Sequence, residues 1–263
     1  MFKRELKINL KSFIIWTSIL ILLFLVVFLV YPSIVSSDNI NQIDEMMKLF
    51  PEEVLKAFNM DISSMDSAYG WLKSEGFIMI LLVTGIYSSI LGSNILLKEE
   101  SDKTIEYLNS LPLKRKDIIR DKVLVGIIYI VLMVLVIGLF NYIALYLSGD
   151  FDKKQYLLLS ITPLLTSLPL FSINLYISTY FHKVKNMLGI SLGISIGSYF
   201  IQVLSDIGEK VEFLKYLSIY TLADIRNIII DIRINPLMII LSILITLVFI
   251  VSTYLRYSKK ELL

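Results

Sequence analysis

The 263-residue sequence contains no cysteine and a single histidine, His182. The lack of cysteine excludes disulfide bonds and thiolate metal sites, and one imidazole is too few for a site built from several histidines. A catalytic nucleophile with a neighbouring base is also difficult to assemble, because His182 is the only imidazole and it adjoins a lysine at the end of an apolar run. These absences argue against a membrane protease, a lipid hydrolase or a metalloenzyme.

Glycine is never followed by lysine in this chain, so the phosphate-binding loop Gly-x-x-x-x-Gly-Lys-Ser/Thr is absent. We therefore expect that the chain does not hold ATP in such a loop. We also expect that it is not an enzyme and carries no cofactor of its own.

Six apolar runs of about 20 residues, the length that crosses a bilayer as a helix, dominate a sequence that is 56% hydrophobic. They predict an all-α integral membrane protein with six transmembrane helices in a single domain, residues 1–263. The predicted spans are 13–31, 77–97, 123–147, 156–181, 187–205 and 236–255. None contains Asp, Glu, Lys, Arg or His, whereas ion-coupled carriers usually keep such groups within the membrane. The energy for any transport would have to come from outside the bilayer.

Positive charge is concentrated in a few of the predicted loops. Most of the 25 Lys and Arg residues lie in the N-terminal segment, in segment 98–122, beside His182 and after residue 255. The positive-inside rule then places both termini in the cytoplasm. Topology and anionic lipid account for these residues, so we expect the bilayer, and no nucleic acid, as their partner.

Amphipathic patterns flank the spans. In the first 12 residues Phe2, Leu6 and Leu10 share a helical face beside lysines, which predicts an interfacial helix that leads into the first span. A frayed basic tail is the alternative. The outer loop 32–76 predicts two short helices, the second beginning at Pro51, and segment 206–235 is predicted to be partly helical. Such outer helices either cap an exit path or lie on the lipid headgroups.

Small residues and prolines mark two of the spans. Gly189, Gly193 and Gly197 are four residues apart, so they share one face of the fifth span, which predicts a close helix contact within one chain or across a dimer. Pro163 and Pro169 interrupt the hydrogen bonds of the fourth span. They predict a static packing kink, with a hinge for gating as the alternative.

Segment 98–122 is a long charged stretch between two predicted spans. It predicts a short acidic helix from Glu99 to Asn109, a break at Pro112 and a basic helix from Lys114 onward. This helix-turn-helix has little apolar surface to bury in its own chain, so we expect it to contact another protein. A solvated charged loop is the alternative.

The same segment resembles the type-2 family of ATP-binding-cassette (ABC) export permeases, particularly the bacitracin-permease-like branch. Those proteins carry the pattern Glu-x-x-x-Gly-Thr-Leu-Glu-x-Leu-x-Ser-x-Pro-x-x-Arg, followed by an apolar pair and a lysine. The matching residues here are Glu99, Thr104, Ile105, Glu106, Leu108, Ser110, Leu111, Pro112, Arg115, Ile118, Ile119 and Lys122. Lys103 replaces the glycine, which a helical position would tolerate. The outer loop also resembles that branch, so the resemblance covers essentially the whole chain.

The resemblance implies a membrane subunit that works as a homodimer or heterodimer in the bacterial cytoplasmic membrane. Each copy would receive a separate cytoplasmic ATPase subunit, which binds the ATP and magnesium, and Gly189, Gly193 and Gly197 would lie at the dimer contact. The implied coupling residues are Glu99, Glu100, Lys103, Thr104, Glu106, Tyr107, Leu108, Ser110, Leu111, Pro112 and Arg115.

The expected function is ATP-driven export of an amphiphilic substrate such as a peptide antibiotic, another peptide or a lipid-like molecule. The charge-free spans and the Tyr- and Phe-rich membrane boundaries are compatible with that cargo, although aromatic belts are also ordinary anchors. The alternative is a mechanical transmitter, which passes the motion of the ATPase to partners outside the cell without moving a substrate.

Overall fold

A computed structural model describes residues 1–34, 67–105, 114–149 and 151–260 of the chain. Six of its helices are long and apolar enough to cross a membrane. Spans 1 to 6 are Phe2–Ile34, Phe77–Ser101, Arg115–Ser148, Lys153–Ser178, Val184–Ile207 and Pro236–Tyr257. The described residues form helices and connecting turns without a β-strand, which confirms the predicted all-α fold with six spans.

Spans 2 and 4 form the centre of the bundle. They are the most deeply buried spans, and they pack against each other over most of their length. Span 5 packs on span 2, span 6 on span 4, and span 1 on span 3. The central contact depends on Gly92, since a Cβ atom at this position would overlap the carbonyl group of Phe171. Glycine therefore allows the two backbones to approach closely, as in other helix pairs in lipid.

Span 4 continues as a helix through both of its prolines. Pro163 and Pro169 lack the N–H groups that would bond the carbonyls of Leu159 and Leu165. The hydroxyl of Thr162 donates to the carbonyl of Leu159 at 2.8 Å, and that of Ser242 in span 6 donates to the carbonyl of Leu165 at 2.8 Å. Side chains thus satisfy the carbonyls that the prolines leave free, which membrane helices require.

The N-terminal segment differs from its prediction. A separate interfacial helix was expected before a span that begins at residue 13, but one helix runs from Phe2 to Ile34. No glycine or proline interrupts the first turns of this helix, and the side chain of Glu5 is buried against spans 2 and 3. The first turns therefore extend span 1 and pack inside the bundle.

Both described ends of the chain lie at the same end of the bundle. Glu5 forms an ion pair with Lys122 at the start of span 3, and Lys260 forms one with Glu100 at the end of span 2. We call this end of the bundle the terminal end. The opposite end contains the connection between spans 5 and 6, with 3₁₀ turns at Glu209–Leu217 and Tyr220–Ala223 and a helix at Ile225–Asp231. This confirms the predicted partial helicity of segment 206–235. The two helices predicted on either side of Pro51 lie outside the described residues.

Candidate functional site

Two neighbouring carboxylates, Glu99 and Glu100, end span 2 and are only 2% and 5% exposed. Successive side chains of an α-helix point about 100° apart, so the two groups meet different neighbours. A buried carboxylate is stable in its ionised form only when it is paired. Here each has its own set of partners. We call these carboxylates and their partners the charge cluster: Glu5, Glu99, Glu100, Lys122, His182 and Lys260.

Glu99 connects span 2 to spans 1 and 3. The ammonium group of Lys122, at the base of span 3, lies 2.9 Å from one oxygen of Glu99 and also donates to the carbonyl of Ile95. The same ammonium lies 3.3 Å from Glu5 of span 1, and the guanidinium of Arg4 lies 3.5 Å from Glu99. Lys122 is only 1% exposed, so these partners take the place of water around its ammonium group.

Glu100 connects span 2 to the chain after span 6 and to the turn between spans 4 and 5. It lies 2.8 Å from the imidazole Nδ1 of His182 and 2.8 Å from the ammonium of Lys260. Lys260 also donates to the carbonyl of Phe181, and its own carbonyl accepts from Arg115 at 2.8 Å. Burial lowers the pKa of the Lys260 ammonium, and the contact with Glu100 opposes this effect.

The chain turns sharply directly after the two carboxylates. The N–H groups of Lys103 and Thr104 donate to the carbonyls of Glu100 and Glu99, at 3.3 and 2.8 Å. This pair of bonds is the Schellman motif that closes many helices. The residue in the place of Lys103 is usually a glycine in the left-handed conformation. Lys103 occupies that position with a φ of 57°. The prediction that a helix runs from Glu99 to Asn109 is therefore wrong at its start, since the chain leaves the helix after Ser101.

The beginning of the next segment is fixed to span 3. Ile105 is buried against Ile118, with Met1 beside the pair. The basic helix predicted from Lys114 onward begins at Arg115, with Lys114 as its N-cap, and continues without a break into span 3. A small apolar contact therefore joins both sides of the charged segment to the N-terminus.

The predicted coupling residues fall into three groups: those in buried or bonded positions, those exposed at the turn, and those outside the described residues. Glu99 and Glu100 are buried in the charge cluster, and Arg115 bonds the chain after span 6. Lys103 and Thr104 are exposed at the turn. The remaining predictions lie outside the described residues: Glu106, Tyr107, Leu108, Ser110, Leu111 and Pro112.

Sequence reasoning missed the cluster because its members are far apart in the chain. The predicted spans contained no charge, but Glu99 and Lys122 stand just beyond the ends of two neighbouring spans, where antiparallel helices bring them together. That pairing is visible in the sequence as an acid after one apolar run and a lysine before the next. Glu5, His182 and Lys260 carry no such signal, since their positions depend on tertiary packing.

The glycines of span 5 face away from the rest of the chain. A Cβ atom added to Gly189, Gly193 or Gly197 would meet nothing within 4 Å among the described residues. Ser191 and Ser195 of the same span are buried instead, and the hydroxyl of Ser195 is hydrogen-bonded to that of Tyr220 in the connection between spans 5 and 6 at 3.0 Å. The predicted close contact is therefore not formed within the described part of this chain.

The sequence matches the family described as ABC-2 family transporter protein over residues 1–262. No curated protein and no solved structure matched. The six apolar helices and this match define a multi-pass membrane subunit of an ABC transporter, the class of protein that receives an ABC ATPase. The chain belongs to the ABC-2 transporter family.

Proposed function

We propose that this chain is the membrane subunit of an ATP-driven exporter and that segment 98–122 receives the motion of the ATPase. The observation that supports this most strongly is the charge cluster. The turn that opens the segment follows two buried carboxylates, which are paired with span 1, span 3, the turn after span 4 and the chain after span 6.

This arrangement would allow a movement of the turn at Lys103 to be passed on to the ends of several spans. Separating a buried ion pair leaves an uncompensated charge and costs roughly 3–5 kcal/mol, so the paired elements tend to move together. A push on the turn at Lys103 would therefore shift the ends of several helices at once. In our proposal, spans 1, 2 and 5 then change between an inward-occluded and an outward-open arrangement, two discrete packings of the bundle.

The proposal places the terminal end in the cytoplasm of a bacterial cell and a second copy of the membrane subunit against span 5. The basic residues at the terminal end support the orientation. The open glycine face of span 5 supports the dimer, because glycines four residues apart permit close contact with a partner helix in lipid. We also propose that the substrate is amphiphilic and that the chain belongs to the bacitracin-permease-like branch.

The test exchanges two of the predicted coupling residues in segment 98–122. Glu106→Lys or Leu108→Asp is expected to leave membrane insertion and dimerisation intact, to weaken co-purification with the cognate ATPase, and to lower the ATP hydrolysis that the membrane subunit stimulates. Asp231→Lys and Leu217→Asp make similar changes at the opposite end and should leave both measurements unchanged. If both Glu106→Lys and Leu108→Asp behave like the wild type, the segment is a solvated loop and the assignment is wrong.

The mechanical-transmitter alternative is distinguished by reconstitution. Vesicles that contain the assembled complex should move an amphiphilic probe across the bilayer when ATP is supplied, and a variant that cannot bind the ATPase should not. Full ATP hydrolysis without movement of any probe would support transmission without transport.

A further inference from the structure

The terminal end contains an open cavity of about 430 Å³ between the ends of spans 4 and 6. Three of its lining residues are cationic, Arg256, Lys259 and Lys260. They belong to the last turn of span 6 and the residues that follow it. The remaining lining residues are Tyr176, Thr179, Ser252 and Leu255. The cavity thus combines a few apolar and hydroxyl side chains of the bundle with a cluster of positive charge.

Two of these cations lack an anionic partner in the described structure. Lys260 is paired with Glu100, but none of the salt bridges among the described residues gives a carboxylate to Arg256 or Lys259. No described residue of the cavity wall carries a negative charge. The cavity is therefore electrostatically complementary to an anion.

The guanidinium of Arg256 is held in a fixed orientation. It lies over the ring of Tyr180, 3.3 Å from the ring centre, and the hydroxyl of Tyr180 is hydrogen-bonded to that of Tyr176 at 2.7 Å. A guanidinium so close to a ring centre presents its flat face to the ring, and its N–H groups have no hydrogen-bond partner among the described residues. Those groups match the oxygens of a phosphate in pairs, which is why arginine is common in phosphate sites.

The position of the cavity indicates which kind of phosphate is available. Leu255 is 65% exposed on an apolar helix, so it faces the hydrocarbon region, and Arg256 follows it directly. Basic residues immediately beyond a span lie at the level of the headgroups, where anionic phospholipids are concentrated. A lipid with its phosphate in the cavity could extend its chains along Leu255 and Tyr176.

We propose that this cavity binds the phosphate of an anionic phospholipid, with Arg256 and Lys259 as its main contacts. Lys260 links the site to Glu100 of the charge cluster, so a bound lipid adds negative charge beside an ammonium group that burial makes less basic. The lipid would thereby stabilise the contact between span 6 and the end of span 2. Lipid binding itself does not depend on the proposed transport function.

The experiment measures lipid binding to the full chain in neutral detergent by native mass spectrometry. Phosphatidylglycerol should bind more tightly than phosphatidylcholine with the same acyl chains. Arg256→Gln should weaken phosphatidylglycerol binding about fivefold, the loss expected from one cation at a membrane surface. Arg233→Gln removes an exposed cation at the opposite end and should have no effect. Ser252→Leu narrows the cavity without changing its charge and should also weaken binding.

Three results would overturn the proposal. Equal affinity of Arg256→Gln and the wild type would show that the lipid binds elsewhere. Full competition by glycerol 1-phosphate at similar concentration would show that the site takes a free phosphate compound. Selective binding that appears only after residues 261–263 are deleted would show that the acidic tail, with Glu261, occupies the cavity.

Discussion

The hydroxyl of Ser242 donates to the carbonyl of Leu165 at 2.8 Å, and this is the carbonyl that Pro169 deprives of its helical partner. A break in the hydrogen bonds of span 4 is thus satisfied by span 6. The two helices are therefore joined by a hydrogen bond at the point where span 4 lacks one of its own.

Ser242→Ala is expected to lower the stability of the protein in detergent by about 1 kcal/mol, because it leaves a buried carbonyl without a donor. Ser252→Ala is the control, since the hydroxyl of Ser252 bonds the carbonyl of Val248 in its own helix. Pro169→Ala restores the missing N–H group. In that background the loss from Ser242→Ala should become smaller, and an unchanged loss would show that the bond does not compensate for the proline.

Lys122→Met is expected to destabilise the protein by roughly 3–5 kcal/mol, because it removes the buried cation that Glu5 and Glu99 share and leaves them only the partly exposed Arg4. The combined change of Lys122→Met with Glu99→Gln should recover part of that loss. Arg120→Gln removes an exposed cation two residues earlier and should change stability by less than about 1 kcal/mol. Thermal unfolding in detergent is the measurement, and similar values for Lys122→Met and Arg120→Gln would contradict the paired arrangement.

Lys103→Gly is expected to stabilise the protein by about 1 kcal/mol, because a left-handed φ strains the backbone of lysine, which has a Cβ atom, and does not strain that of glycine. Lys103→Gln retains that conformational cost while removing the charge, so it separates the two effects. A gain from the glutamine variant equal to that from glycine would assign the effect to charge.

Gly92→Ala should lower the stability of the single subunit, whereas Gly193→Leu should weaken only the dimer. Alanine at residue 92 would overlap the backbone of Phe171, so the chain is expected to unfold more readily and to express poorly. A Cβ atom at residue 193 meets nothing within 4 Å in the described part of the chain, so with Gly193→Leu the single subunit should keep its stability while the dimer weakens. Val251→Leu, at an exposed position of span 6, is the control for added bulk. Size in detergent and cross-linking between copies measure the dimer, and unchanged values for Gly193→Leu would remove the glycine face from the dimer contact.

The orientation in the membrane is tested with single cysteines, which this cysteine-free chain permits. Cysteines at residues 39 and 209 should react with an impermeant maleimide on intact cells, and one at residue 116 should react only after permeabilisation. Residue 39 lies outside the described residues, so the reagent tests a position that only the sequence predicts. Reaction at residue 116 on intact cells would reverse the proposed topology.

Much of the fold follows from local sequence, because each span needs only about 20 apolar residues to be recognised. The end of span 2 was predicted less well. A helix was expected to begin at Glu99, although the pattern that the segment resembles has a glycine at position 103. Glycine is the usual residue at a helix end, and Lys103 has the left-handed φ of such an end. Hydropathy cannot show that the carboxylates before it are buried, since their cations come from distant parts of the chain.

The adjacency of Glu99 and Glu100 limits how this protein can be engineered. One inserted or deleted residue in the last turn of span 2 would rotate both carboxylates by about 100° and direct each toward the cations of the other or toward lipid. A chimaera that exchanges the proposed ATPase contact should therefore join the foreign sequence after Ile105, which packs on Ile118, and return before Arg115. Between these limits the residues can be exchanged with the anchoring carboxylates left in register.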